Sequence, residues 1–154
     1  MLLSEYITPE SIKINLEAED KEEVFEELID LMVNTYNIPD REPLLEAIRD
    51  RETKGTTGIG GGIAIPHAKS GIIERSYVVL GISGIGIDYQ AKDDEPVNVV
   101  FMMVTQESNP NEHLQILQKI AKLSKSDDIT QKFIDCGSAK EVHKLIADYE
   151  EQEV

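Results

Sequence analysis

The stretch from Val97 to Val104 reads VNVVFMMV and is apolar at every position except Asn98. A strand that faces water on one side alternates apolar and polar residues, whereas this run is apolar almost throughout. Such a run is typical of a central strand that is covered on both faces. Because helices are the usual cover for both faces of a sheet, residues 97–104 predict an α/β domain.

Three other segments are expected to join this strand in the sheet. Residues 77–83 form a second apolar strand, and residues 63–65 are too short and apolar for anything but a buried one. Near the start of the chain, apolar and polar residues alternate, which predicts a half-buried strand through Ile12, Ile14 and Leu16. Between the strands we expect a loop at residues 55–62 and turns at Gly84, Gly86 and residues 92–95.

The spacing of apolar residues predicts five helices around the sheet. The first begins after Asp20 and runs to about Tyr36, and the second is capped by Asp40. A third begins near Asn111, a fourth covers residues 128–135, and the last is capped by Ser138. Residues 150–153 are expected to form a frayed polar tail. The third helix is expected to face the core with Leu114, Leu117, Ile120, Ala121 and Leu123.

The chain is expected to form one domain over residues 1–154. This length suits a single hydrophobic core, and no repeat, linker or low-complexity segment divides it. Because strands are mixed with helices before, between and after them, we predict a central sheet with helices on both faces.

The composition disfavours several kinds of partner. With 30 acidic and 15 basic residues, the net charge of −15 disfavours binding to nucleic acid or to anionic membranes. The single cysteine, Cys136, permits no internal disulfide. No apolar run approaches the roughly 20 residues that span a bilayer, and the first residues do not resemble a signal peptide. We therefore expect a cytoplasmic protein with no direct membrane insertion.

Residues 53–73 are the most informative segment for function. These 21 residues hold six of the ten glycines and no acidic residue, while Lys54 and Lys69 make the segment locally positive. Glycines let backbone N–H groups approach an anion closely, and missing carboxylates remove repulsion against it. We therefore predict an anion site rather than a mobile surface loop. Its expected donors are the backbone of Gly60, Gly61 and Gly62 and the hydroxyls of Thr56 and Thr57.

These glycines do not form a nucleotide-binding motif. A Walker A loop requires Gly-Lys-Ser or Gly-Lys-Thr, and neither occurs in the chain. A dinucleotide fingerprint requires a third spaced glycine and a following helix, whereas residues 58–63 lack that glycine and lead into a strand. A generic anion- or nucleotide-binding domain is therefore the least favoured alternative.

His67 closes the glycine-rich segment and is the expected reactive residue. It follows Pro66, which stiffens the turn, at the end of the predicted strand 63–65. An imidazole with its ordinary pKa of about 6.5 offers a neutral nucleophilic nitrogen at cell pH. A phosphorylated imidazole transfers its group readily and needs backbone donors and a fixed cation around it. The alternative is a loop histidine that merely hydrogen-bonds a neighbour.

Arg51 and His113 are the expected auxiliary residues. The guanidinium of Arg51 is suited to clamping phosphoryl oxygens, unless it simply pairs with Asp50 or Glu52 on a helix surface. His113 follows the central strand and begins a helix, a position at which sites gather in open α/β sheets. It is expected to donate to the phosphoryl group or to fix the tautomer of His67; the alternative is a first-turn histidine facing water.

No metal or cofactor is expected. The chain has no His-Glu-x-x-His motif, no paired cysteines and no ligand-like spacing of its three histidines. We interpret His143, on the last helix, as solvated surface, and Cys136 as partly buried and unreactive.

The segment from Thr56 to His67 reads TTGIGGGIAIPH and resembles the enzyme IIA domains of the fructose/mannitol family of the bacterial sugar phosphotransferase system. The stretch GIAIPH is the most specific part of this likeness. Arg51-Glu52 is similar to the Arg-Glu pair of that family, and the run NEHL at residues 111–114 is similar to its second histidine motif. The resemblance covers nearly the whole chain, from about Leu3 to Tyr149.

This resemblance implies a phosphotransferase built on a mixed sheet flanked by helices, working without a metal or a nucleotide. His67 would accept a phosphoryl group from the phosphocarrier HPr, with Arg51 and His113 orienting and stabilising that group. The acceptor would be a cysteine of an enzyme IIB partner, for sugar uptake of the fructose or mannitol type. The alternative within the same family is a nitrogen-regulatory enzyme IIA, which signals through its phosphorylation state and through protein binding.

Overall fold

The computed structural model describes residues 1–152, which form a single mixed sheet between two layers of helices. The strands are β1 (Ile12–Lys13), β2 (Gly58–Gly60), β3 (Ile63–Ala64), β4 (His67–Ser70), β5 (Tyr77–Ile87) and β6 (Val97–Gln106). The helices are α1 (Leu3–Tyr6), α2 (Lys21–Tyr36), α3 (Glu42–Glu52), α4 (Pro110–Leu123), α5 (Ile129–Ile134) and α6 (Ala139–Gln152), with a short 3-10 turn at Pro9–Ser11.

β6 is the centre of the sheet. The strand order is β1-β5-β6-β3-β2, and β4 pairs with β6 beyond the end of β3. β6 runs antiparallel to β5 and parallel to β3 and β4, so the sheet is mixed, as the resemblance implied. The side chains from Val99 to Val104 are 0% exposed, which confirms the prediction of a strand covered on both faces.

The side chains of β6 alternate between two cores, one on each face of the sheet. Val100, Met102 and Val104 join the core formed with α2 and α3. Val99, Phe101 and Met103 join the core formed with α1, α4, α5 and α6. Full burial of one such side chain contributes about 1.5–3 kcal/mol, so β6 stabilises the domain from both faces of the sheet. The prediction of helices on both faces is confirmed.

The glycine-rich segment contains a strand where we predicted a loop. Gly58–Gly60 forms β2, which pairs antiparallel with β3 across a two-residue turn. Gly61 and Gly62 make this turn with φ angles of +68° and +83°, a region that residues with a side chain rarely adopt. A Cβ at Gly58 would lie 2.7 Å from Ala91. The glycines therefore serve tight turning and close packing.

Other strand limits also differ from the prediction. His67 begins the separate strand β4 instead of ending the strand 63–65. β5 continues through Gly84 and Gly86 to Ile87, where we predicted turns, because an irregularity after Ile82 absorbs the change of register. β1 ends at Lys13, and Asn15 has a φ angle of +61° that breaks the expected strand to Leu16.

The helix predictions are confirmed to within about two residues at their starts, although α3 begins at Glu42, one residue later than a cap at Asp40 would place it. Asp40 accepts a hydrogen bond from the Glu42 amide at 3.2 Å, but Arg41 is the residue preceding the helix. Leu114 was wrongly placed in the core: its side chain is 52% exposed, and α4 instead buries His113, Ile116, Ile120 and Leu123.

The predicted frayed tail is also corrected. α6 continues to Gln152, and the buried Glu150 carboxylate accepts hydrogen bonds from the Leu3 amide at 2.6 Å and the Ser4 amide at 3.0 Å. Position 153 of that prediction lies outside the described residues. No helix within residues 1–152 combines the length and the apolar character that crossing a membrane requires.

Candidate active site

An open pocket of about 470 Å³ brings together the end of α3, the start of β4 and the first turn of α4. Its lining carries three cationic side chains and one carboxylate, in a chain whose net charge is −15. His67, His113 and Arg51 all lie in it, so the structure brings the three predicted catalytic residues together. The lining residues are Ala47, Asp50, Arg51, Lys54, His67, Ala68, Lys69 and His113.

His67 is held in one tautomer by the backbone. Its Nδ1 lies 2.6 Å from the carbonyl oxygen of Ile65. A carbonyl oxygen only accepts hydrogen bonds, so Nδ1 carries the proton and donates it. The lone pair of the neutral ring is then on Nε2, which leaves that nitrogen as the nucleophile.

The surroundings of His67 keep the ring neutral. Burial lowers its pKa below the ordinary value, and the positive charge of Arg51 lowers it further. The hydrogen bond to Ile65 and the charge of Glu52 act in the opposite direction without reversing the shift. A lowered pKa means that the unprotonated, nucleophilic form dominates at neutral pH.

His113 lies beside His67 with its ring largely buried. The centroids of the two rings are 5.6 Å apart and the rings are inclined by 56°. Burial, followed by the neighbouring His67 and Lys69, lowers the pKa of His113 to about 4. Its Nδ1 is hydrogen-bonded to the hydroxyl of Thr105. The Ile65 carbonyl already fixes the tautomer of His67, so this role is not left for His113, while donation to a bound group stays a prediction.

Arg51 makes none of the ion pairs that its alternative interpretation required. Among residues 1–152 its guanidinium has no salt-bridge partner, and its Nη1 donates to the Gly55 carbonyl at 3.0 Å. Glu52, the neighbouring acid, is instead 3.0 Å from Lys21. The positive charge of Arg51 therefore stays available to the pocket beside His67.

Behind Arg51 lies a buried polar cluster that sequence reasoning missed. The Glu52 carboxylate accepts hydrogen bonds from the Thr57 amide at 2.9 Å and from the Thr57 hydroxyl at 2.6 Å. Because Thr57 has a single hydroxyl hydrogen, the Tyr89 hydroxyl donates to Thr57 at 2.6 Å. Burial raises the pKa of Tyr89 strongly. In the sequence, the only indication of this cluster is Glu52, the acidic residue just before the glycine-rich segment.

Thr57 and the three glycines, predicted to bind the phosphoryl group, do not line the pocket. The Thr57 hydroxyl is used within the buried cluster. The Gly61 amide donates to the Asp93 carboxylate at 3.0 Å, which lowers the pKa of Asp93. Gly62 lies beside Val99 of β6, whereas His67 pairs with Met103. These two β6 residues are four positions apart, or about 13 Å along the strand. The structure does not bring Gly60, Gly61 and Gly62 to His67.

His143 is not the solvated surface residue that we predicted. It is half-buried, and its Nε2 lies 2.9 Å from the carbonyl oxygen of Ser4. Cys136 is partly buried as expected, and burial raises the pKa of its thiol. Within the described chain, no group of three or more His, Cys, Asp or Glu side chains is arranged to hold a metal ion.

Comparison with known proteins gives a consistent family. Residues 5–149 match the sequence profile of the family described as "Phosphoenolpyruvate-dependent sugar phosphotransferase system, EIIA 2". The chain is 35% identical over 143 residues to the PTS system fructose-specific EIIA component of Haloferax volcanii, covering 92% of this chain and 93% of that protein. It is 34% identical over 146 residues to the PTS system fructose-specific EIIABC component of Bacillus subtilis, covering 95% of this chain and 23% of that much longer protein.

Solved structures share the fold. The nitrogen regulatory protein IIA-Ntr of Neisseria meningitidis matches with a TM-score of 0.85 and 26% identity, over 94% of this chain and 98% of that one. Enzyme IIAMTL of Escherichia coli, determined in a complex with phosphorylated enzyme IIBMTL, matches with a TM-score of 0.76 over 92% of this chain and 96% of that one. Its 22% identity establishes the common fold alone.

Proposed function

This chain belongs to the EIIA 2 family of the phosphoenolpyruvate-dependent sugar phosphotransferase system, and we propose that it carries a phosphoryl group on Nε2 of His67. Proteins of this family are phosphotransferases. The observation that carries the proposal is the Ile65 carbonyl on Nδ1, which leaves the lone pair of Nε2 in a pocket rich in cations. HPr is the proposed donor, and a cysteine of an EIIB protein is the proposed acceptor.

The uptake step requires no proton transfer at His67. The lone pair of Nε2 attacks phosphorus while the bond from phosphorus to the donor breaks, and the electron pair of that bond stays with the donor. The proton on Nδ1 stays in place, and the ring acquires positive charge that the Ile65 carbonyl stabilises at 2.6 Å. In the second step the phosphorus–nitrogen bond breaks as a thiolate of the acceptor bonds to phosphorus, and neutral His67 is regenerated.

Arg51 is proposed to stabilise the oxygens of the group during transfer. Phosphoryl transfer has a loose transition state with charge spread over three oxygens, so a fixed cation is more useful than acid–base machinery. Arg51 suits this role because it has no carboxylate partner within residues 1–152, while Gly55 holds one end of its guanidinium. Lys54 and Lys69 add positive charge to the same pocket.

His113 is proposed as a neutral hydrogen-bond donor to the same group. Its ring centroid is 5.6 Å from that of His67, and its Nδ1 is already used by Thr105. The nitrogen left for the pocket is therefore Nε2. With a pKa of about 4, the ring contributes a donor without a full charge at neutral pH.

The proposed partners follow from the names of the relatives. Two relatives are fructose-specific components, and the fold is shared with an enzyme IIA determined in complex with a phosphorylated enzyme IIB. We therefore propose transfer to an EIIB protein of the fructose type, in support of sugar uptake. No nucleic-acid partner is proposed, in keeping with the net charge of −15.

The direct test is incubation with phosphorylated HPr carrying radioactive phosphorus. The wild type should acquire one acid-labile phosphate per chain, and His67→Ala should acquire none. His143→Ala is the matched control, because this histidine of α6 contacts Ser4 of α1 and lies outside the pocket. Labelling of His67→Ala at the wild-type level would overturn the assignment.

A regulatory role is the second candidate, favoured by the likeness to IIA-Ntr of Neisseria meningitidis with its TM-score of 0.85. In that case the phosphorylated chain would not pass its group to any EIIB domain, and only one phosphorylation state would bind a regulator. Transfer from the phosphorylated chain to a fructose-type EIIB, followed by loss of label from His67, would decide for sugar uptake.

A further inference from the structure

Thr105 is a fully buried threonine whose hydroxyl contacts the second histidine of the pocket. It stands near the end of β6, where its side chain is 0% exposed, and pairs in the sheet with Lys69 of β4. The hydroxyl is hydrogen-bonded to Nδ1 of His113, eight residues further along the chain. The His113 side chain is only 9% exposed, so water has little access to this contact.

The direction of this hydrogen bond follows from its surroundings. Within residues 1–152, Nδ1 of His113 is the only hydrogen-bond partner of the Thr105 hydroxyl. Leaving a buried O–H without an acceptor is energetically unfavourable. If Nδ1 carried the ring proton, it would donate to the Thr105 oxygen, and the buried hydroxyl hydrogen would be left without an acceptor. The hydroxyl therefore donates to Nδ1, and the ring proton lies on Nε2.

We propose that Thr105 is a positioning residue that holds His113 as its Nε2–H tautomer, so that this N–H points to the group carried by His67. This inference rests on the phosphocarrier function proposed above. The two histidines are then opposite tautomers: His67 has its proton on Nδ1, bound to Ile65, and His113 has its proton on Nε2. One ring presents a lone pair and the other presents a donor.

The tautomer of His113 decides whether the ring attracts or repels phosphoryl oxygens. An Nε2–H donates to them, whereas an unprotonated Nε2 would turn its lone pair toward their negative charge. Protonation of the whole ring would also supply a donor, but the pKa of about 4 makes that form scarce at neutral pH. Fixing the tautomer is therefore the remaining route to a donor at this position.

Long-range proton–nitrogen NMR of the histidine rings tests the tautomer directly and without phosphate. Wild-type His113 should show the pattern of a neutral ring protonated at Nε2. Thr105→Val, of similar shape, should shift the ring toward a mixture of tautomers, and Thr105→Ser should restore the wild-type pattern. Thr35→Val is the matched control, because its hydroxyl donates to the Glu10 carbonyl away from the pocket.

Transfer kinetics test the consequence. Loss of one hydrogen bond of about 1 kcal/mol should slow uptake from phosphorylated HPr about three- to tenfold in Thr105→Val. Thr105→Ser should stay within about twofold of the wild type, since it keeps the hydroxyl. In a His113→Ala background, Thr105→Val should cause no further loss, because the residue acts through that ring.

The outcomes separate this inference from the proposed function. An Nδ1–H tautomer of His113 in the wild type would overturn the inference even if His67 takes up phosphate. Equal transfer rates in wild type and Thr105→Val, or an undiminished effect of Thr105→Val without His113, would overturn the positioning role. Absence of phosphate on wild-type His67 would instead overturn the proposed function, and the NMR result would still report on the tautomer.

Discussion

The two ends of β6 differ in whether the groups that could bind an anion already have a partner within the fold. Near Asn98, the tight turn at Gly60–Gly62 offers backbone N–H groups, and the Asp93 carboxylate already occupies the Gly61 amide. Near Met103, the pocket around His67 holds three cationic side chains against the single carboxylate of Asp50. We call the first the closed end, because the fold already uses its donor, and the second the open end, because its cations form no ion pair within residues 1–152. An anion site thus requires donors that the fold itself has not used.

The strongest test of this contrast is Arg51→Ala at the open end. Removing a fixed cation that stabilises the negative charge of the transition state should slow phosphoryl uptake about 10²-fold. The free energy of unfolding should change by less than about 0.5 kcal/mol, because within residues 1–152 the only hydrogen bond of the guanidinium is to the Gly55 carbonyl. Rapid-quench labelling and urea denaturation measure the two effects. Wild-type uptake by this variant would remove Arg51 from the mechanism.

A smaller effect is expected for His113→Ala. The variant loses one neutral donor, so uptake should fall about tenfold, less than for His67→Ala or Arg51→Ala. Side-by-side labelling of the three variants with the same phosphorylated HPr gives the order. If His113→Ala blocks uptake as completely as His67→Ala, the two histidines share the carrier role.

The dependence of uptake on pH sharpens the comparison further. Burial and the charge of Arg51 lower the pKa of His67, so its nucleophilic lone pair should be lost only as the pH falls below the ordinary value of about 6.5. An imidazole with the ordinary pKa would be about three-quarters protonated at pH 6. Uptake at pH 6 should therefore fall by less than fourfold, and a fourfold or larger fall would contradict the lowered pKa of His67.

An NMR titration of His67 checks the cause of this pH tolerance. Removal of the nearby cation in Arg51→Ala should raise the pKa of His67, because one of the charges that disfavour protonation is gone. An unchanged or lower pKa in this variant would show that Arg51 does not act on the ring.

The smallest effect on transfer is expected at the closed end, in Gly62→Ala. Its φ angle of +83° and a Cβ only 2.8 Å from Thr130 should destabilise the fold by about 1–3 kcal/mol. Uptake should remain within about twofold of wild type, provided that the measurement is made well below the melting temperature. Gly84→Ala, where a Cβ meets nothing within 4 Å, is the control for stability. A large loss of uptake would indicate that the glycine turn takes part in binding the phosphoryl group.

The elements that the sequence predicts well are those with a pattern of their own. The apolar run of β6 fixes its central place, and the helix caps at Asp20 and Ser138 are observed as hydrogen bonds to the Glu23 and Glu141 amides. Short strands such as β2 and β4 have no such pattern, since their pairing with a neighbour defines them. The exposure of Leu114 depends on how α4 is rotated against the sheet, which its spacing alone does not determine.

The site likewise contains residues that the sequence identifies and residues that only the structure reveals. Arg51, His67 and His113 could be singled out because each stands at the edge of a recognisable element, and the structure places them in one pocket. Their catalytic roles stay predictions. Thr105 and the cluster of Glu52, Thr57 and Tyr89 could not be found, because a buried polar residue is meaningful only through its partner. The glycines were predicted to bind an anion, but the partner of Gly61 is Asp93, 32 residues away.

The placement of His67 in the sheet also has a dynamic consequence. The residue pairs with Met103 in the parallel ladder, and the Met103 amide donates to the Pro66 carbonyl at 3.0 Å. The main chain at His67 is thus part of the central framework, and we expect it to open only when the whole domain opens. Amide protons around it should exchange with deuterium as slowly as those of β6. If His67 carries the phosphoryl group, its backbone would then stay rigid during each transfer, and the donor and acceptor proteins would be the parts that move.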